Sequence, residues 1–97
     1  MALRLIEVYI PSDSEQTLRE MLGDKKILGI WRNGISEGTT HLSIMAWSED
    51  AGEILDILEK RFSPFEQFRI IVLPVEAIVP RPETSDEKTK EEVASQK

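Results

Sequence analysis

Residues 40–62 read THLSIMAWSEDAGEILDILEKRF, and the apolar period changes in the middle of the stretch. Up to Trp47 the period is two. Leu42, Ile44 and Ala46 fall on one side of an extended chain; His41, Ser43, Met45 and Trp47 fall on the other. From Ala51 onward the period is about 3.6. Ala51, Ile54, Leu55, Leu58 and Phe62 make one apolar stripe, while Glu49, Glu53, Asp56, Glu59 and Lys60 lie mostly elsewhere. Ser48-Glu49-Asp50 opens this helix and Ser63-Pro64 closes it. A strand (Thr40 to Trp47) therefore runs directly into an amphipathic helix, and Leu55, in mid-stripe, is expected to be buried against that strand.

The flanking sequence supplies the rest of the layers. Leu3 to Ile10 is rich in β-branched and aromatic residues and stops at Pro11, which reads as a strand. Ser12 with Glu15, or Asp13 with Gln16, has the spacing of a reciprocal helix cap. Leu18, Met21 and Leu22 then recur at helical spacing, and Gly23 is suited to end the helix in a left-handed conformation. Ile27 to Arg32 reads as a second strand. Between it and Thr40, either Asn33-Gly34 or Glu37-Gly38 can form a tight hairpin turn, so the register of this strand is open by one residue, with a bulge at Asn33-Gly34 as one solution. Phe68 to Leu73 is a fourth strand, apolar apart from Arg69.

The order is βαββαβ. Each helix has one apolar stripe, so both must cover one face of a four-stranded antiparallel sheet. The expectation is an α+β, ferredoxin-like sandwich with strand order 4-1-3-2. Pro74 agrees, because a residue without a backbone donor belongs on an edge strand and strand 4 is an edge in this order. Beyond it, Val75 to Val79 alternates apolar and mixed residues and is expected to form an added strand or extended arm, ended by Pro80 and Pro82. After Val79 only Val93 and Ala94 are apolar. The expected organisation is one domain over 1–79 and a disordered or weakly helical linker over 80–97, where too little surface can be buried to offset chain entropy.

On the first strand Ile6, Val8 and Ile10 oppose Leu5, Glu7 and Tyr9. The all-aliphatic sets should meet the helices. That leaves Leu5, Glu7, Tyr9, His41, Ser43 and Met45, with Trp31 or Trp47, on the open face of the sheet. This mixed set is more apolar than a fully solvated sheet face, and it is the candidate surface for a partner or ligand. Glu7 and His41 share the face, which allows a His–carboxylate pair for acid–base chemistry; a solvated polar pair on a half-exposed sheet is the simpler expectation. The loop Pro11 to Ser14 precedes a helix N-terminus, but Asp13 and Glu15 favour capping over anion binding.

Composition narrows the function classes. The chain has 97 residues, a formal net charge of -6, one histidine and no cysteine. Thiol chemistry, disulfides, zinc ribbons and iron–sulfur sites are excluded. The acidic balance argues against nucleic acid, and the strand 3 sequence lacks the Lys/Arg-Gly-aromatic pattern of RNA-binding domains. No apolar run approaches the roughly 20 residues of a membrane helix, so no insertion by this chain is expected. No catalytic motif, metal site or cofactor is expected.

Two strings carry a resemblance. Residues 3–11 read LRLIEVYIP; Arg61, Phe62, Phe68 and Arg69 precede IVLPVEAIVPRP at residues 71–82. Together they resemble the N-terminal soluble region of the uncharacterised hydrophobic membrane proteins, the family labelled domain of unknown function 389. The resemblance covers residues 3–82 and implies a cytoplasmic, non-enzymatic regulatory or interaction domain joined by a linker to a membrane-embedded part. The partners it implies are that membrane domain or a second copy of the chain. A stand-alone small-ligand-binding regulatory domain is the alternative.

Overall fold

Trp47 ends a strand and Ser48 begins a helix with no residue between them, as the change of period requires. The computed structural model describes residues 2–79. Its elements are β1 (Leu3–Pro11), a 3-10 turn (Ser12–Ser14), α1 (Glu15–Met21), β2 (Gly29–Ser36), β3 (Thr39–Trp47), α2 (Ser48–Phe62) and β4 (Arg69–Val75). All strand pairings are antiparallel, in the order β2-β3-β1-β4. The fold is thus α+β, a four-stranded antiparallel sheet with two helices in βαββαβ order.

The aliphatic sets do meet the helices. Ile6, Val8 and Ile10 from β1 and Leu42, Ile44 and Ala46 from β3 form one buried cluster with Leu18 and Leu22 from the α1 region and Ala51, Ile54, Leu58 and Phe62 from α2. Burying a side chain of this size contributes about 1.5–3 kcal/mol, so this cluster is the main source of stability. Leu55 is not at its centre. It is half-buried on the flank, because the stripe that faces the sheet runs Ala51-Ile54-Leu58-Phe62 and Leu55 lies one step around the helix.

The hairpin between β2 and β3 turns at Glu37-Gly38. Both residues have positive φ, 52° and 79°, and Ser36 pairs with Thr39 across them. Positive φ at both central positions matches the right-handed twist of the strands. Asn33-Gly34 is the bulge: the register shifts between Arg32, opposite Leu42, and Gly34, opposite His41. The strand therefore extends beyond the expected Ile27 to Arg32, to Ser36.

Three local expectations are overturned. No side-chain cap forms at α1, and Pro11 and Ser14 occupy the cap positions. Ser12 is drawn instead to the hairpin: its N–H donates to the Gly38 carbonyl at 2.8 Å, and its hydroxyl accepts from the buried Thr40 hydroxyl at 3.0 Å. Glu15 pairs with Arg19 at 3.0 Å and Arg32 at 3.6 Å, tying α1 to β2. Gly23 is not left-handed; Leu22 ends α1 with ordinary φ. The added strand expected over 75–79 does not form. Val75 is the last residue of β4, opposite Leu3, and β1 offers no further partner beyond that point, so residues 76–79 leave the sheet. The expected linker over 80–97 lies outside the described residues.

Candidate functional site

The register decides which side chains share the open face. Leu5 faces Met45, Glu7 faces Ser43 and Tyr9 faces His41 across β1 and β3. Trp31 faces Ser43 across β2 and β3. All seven residues singled out in the sequence (Leu5, Glu7, Tyr9, Trp31, His41, Ser43 and Met45) therefore lie on one side of the sheet. On the other flank of β1, Leu73 faces Leu5 and Ile71 faces Glu7, which adds two half-exposed aliphatic side chains to the same side.

At its centre is a connected polar group. Glu7 Oε1 lies 2.8 Å from His41 Nε2 and accepts a hydrogen bond from Ser43 Oγ at 3.1 Å. Asn33 Nδ2 donates to Ser43 Oγ and lies 3.5 Å from His41 Nε2. The Tyr9 ring stacks on the His41 imidazole with centroids 4.4 Å apart and planes 9° from parallel. Glu7 Oε1, His41 Nε2, Ser43 Oγ and Asn33 Nδ2 thus each have a partner within the cluster, which is what a half-buried group needs to avoid a desolvation cost of about 1–3 kcal/mol.

This geometry limits the chemistry. His41 Nε2 and Ser43 Oγ converge on the same carboxylate oxygen. In a hydroxyl nucleophile site the imidazole stands between the hydroxyl and the carboxylate so that it can take the proton. Here the hydroxyl donates directly to the carboxylate and the imidazole stands beside it. Among the described residues no group of three or more His, Asp or Glu is gathered as a metal would require.

Asn33 was not among the sequence candidates. The expected strand ended at Arg32, which left Asn33 in a turn; β2 instead runs on to Ser36, so Asn33 lies within the strand and its amide reaches Ser43. The signal available was the Asn-Gly dipeptide itself, which marks either a turn or a bulge. Trp31 is 49% exposed, and its ring folds back over Gly29: a Cβ at Gly29 would stand 2.5 Å from the indole. The missing side chain at 29 is what lets the indole lie along the sheet.

Toward the hairpin, Tyr9, Asn33, Gly34, Ile35, Ser36, Thr39 and His41 line a shallow, largely apolar depression of about 420 Å³. A second depression, of about 260 Å³, lies between the Asp24 to Lys26 turn and the start of α2. The Lys25–Glu53 ion pair at 3.0 Å bridges it, and that bond and charge hold the Lys25 ammonium pKa above its ordinary value. Among the described residues no helix is long and apolar enough to cross a membrane. No protein-family model matches the chain, and no curated protein matches it significantly.

Proposed function

We propose that the chain is a ferredoxin-like interaction domain without enzymatic activity, serving a membrane protein from its cytoplasmic side and receiving its partner on the open sheet face. The observation that carries this is the ring of half-exposed apolar side chains around a polar centre already bonded to itself. Leu5, Tyr9, Trp31 and Met45, with Ile71 and Leu73 beside them, offer contact area. Glu7, His41, Ser43 and Asn33 are held by one another rather than left poised for a substrate. Interfaces are enriched in Tyr, Trp and Met at their cores, with polar groups that fix register. The resemblance of residues 3–11 and 71–82 to the soluble region of the hydrophobic membrane protein family supports the choice of a membrane-embedded partner. The net charge of -6 disfavours direct binding to an anionic lipid surface or to nucleic acid.

The test is fractionation of the tagged chain in its source cells. The native chain should co-purify with detergent-solubilised membrane protein, and Trp31→Glu should release it while leaving the fold intact by circular dichroism. Retention of the Trp31→Glu chain at the native level would move the contact off this face. A second reading has one observation in its favour: the depression over Tyr9 and His41 falls within the size of small-molecule sites, about 300–1,000 Å³. An NMR shift map against a panel of small metabolites would show saturable shifts at Tyr9, Asn33 and His41 if that reading holds, and none if the face serves a protein.

A further inference from the structure

The two edges of the sheet are not alike. β2 is broken by the bulge at Asn33 and carries Arg32 and Gly34, devices that discourage pairing with another strand. β4 has no bulge and no glycine, and its proline, Pro74, stands next to its last residue. Its sequence is RIIVLPV, its one charge is at the first residue, and Ile71, Val72 and Leu73 are 46%, 40% and 42% exposed. Ile71 and Leu73 lie on the open face. Val72, opposite Ile6, lies on the helix side, where α1 and α2 do not cover it.

Backbone parity shows what this edge presents. Ser48 N–H donates to the Ala2 carbonyl and Ser12 N–H to the Gly38 carbonyl, each at 2.8 Å. Both bonds continue the β1–β3 register by one residue at its ends. In an antiparallel pair hydrogen-bonded positions alternate, so even-numbered residues of β1 bond to β3 and odd-numbered ones to β4. The β4 residues opposite those odd positions are Arg69, Ile71, Leu73 and Val75. Ile70, Val72 and Pro74 therefore turn their backbone groups away from the sheet. Pro74 has no N–H to leave unpaired there.

We infer that β4 pairs with β4 of a second copy across a two-fold axis, joining two sheets into one of eight strands. An isologous edge contact must be antiparallel and self-complementary, and this edge is both. With the axis at Ile71, Ile70 and Val72 of each copy exchange N–H and C=O bonds with Val72 and Ile70 of the other, and all outward groups at these two positions are satisfied. With the axis at Val72, Ile70 would stand opposite Pro74 and its carbonyl would have no donor. Pro74 thus disfavours that register, and an axis at Ile70 would overlap only residues 69–71 of β4. With the axis at Ile71, residues 69–73 of the two β4 strands overlap, about 17 Å of strand, and with side chains on both faces the edge buries on the order of 400 Å² per copy. The total of about 800 Å² is that of a weak, transient contact, so the dimer is concentration-dependent. The pairing does not depend on what the open face binds.

Sedimentation equilibrium and single-cysteine oxidation test it, since the chain has no native cysteine. Residues opposite one another at a non-hydrogen-bonded antiparallel position are about 4.5 Å apart at Cα, within disulfide range. Ile71→Cys should oxidise to a covalent dimer well ahead of Glu59→Cys, an exposed control on α2. The native chain should rise from one chain to two with concentration, and Val72→Lys, with the same far-ultraviolet circular dichroism, should weaken association about tenfold or more. A native chain that stays single at millimolar concentration, a Val72→Lys chain that dimerises as the native one does, or equal oxidation at positions 71 and 59 would each overturn the inference.

Discussion

Glu7 Oε1 is the acceptor on which the open face is organised, taking contacts from both His41 and Ser43. Removing it leaves Ser43, which is buried, and His41 without their shared partner. Glu7→Ala is expected to cost about 1–3 kcal/mol in urea unfolding, whereas Glu7→Gln keeps an acceptor oxygen and should cost less than about 1 kcal/mol. Equal losses for the two would mean that the carboxylate charge, not the acceptor, holds the group. Gly29 gives a second expectation at this scale. Gly29→Ala puts a methyl where the Trp31 indole lies, and the ring, being the mobile end of a side chain, must swing off the sheet. Tryptophan emission in a Trp47→Phe background should shift to the red and quench more readily; an unchanged spectrum would show that the indole does not rest on Gly29. The Glu7–His41 pairing was legible in the sequence because both residues fall on odd positions of strands that alternate cleanly. Asn33 was not, because Asn33-Gly34 reads equally as a turn or a bulge, and only the folded register shows that β2 continues through it to Ser36.

At the scale of elements, α2 carries the clearest test. Leu58 is fully buried in the core cluster while Leu55 is only partly buried at its edge. Leu58→Ala should cost about 2–5 kcal/mol through lost burial and a residual cavity, and Leu55→Ala clearly less. Chemical denaturation of the two variants reads the orientation of α2 directly, and a reversed ranking would rotate the helix. The β2–β3 turn supplies a gain. Glu37 sits at φ 52°, which costs an ordinary L-residue about 1–2 kcal/mol, and Glu37→Asn should raise stability by up to about 1 kcal/mol. The existence and order of the elements were legible because the periods of β3 and α2 are unambiguous. The caps and ends were not. Ser12 had the sequence of a helix cap, but the buried Thr40 hydroxyl and the Gly38 carbonyl compete for it and win. The segment after Val75 had a strand-like alternation, yet β1 ends opposite Val75 and leaves it nothing to pair with.

For the whole molecule, the sheet separates two chemistries: an aliphatic side closed by α1 and α2, and an open side with a polar centre and an apolar surround. Which side is which followed from the sequence. What the open side would receive did not, because the sequence of a surface does not contain the sequence of its complement. On the proposed function, the open face, not the helical one, is where a membrane protein would be met. Site-specific photo-cross-linking measures that most directly. A benzophenone-bearing residue is placed at position 31 on the open face or at position 59 on the exposed side of α2, in the tagged chain within its source cells. An adduct with an integral membrane protein is expected from position 31 and none from position 59. An adduct from position 59 alone, or none from position 31 while the chain remains folded, would contradict it.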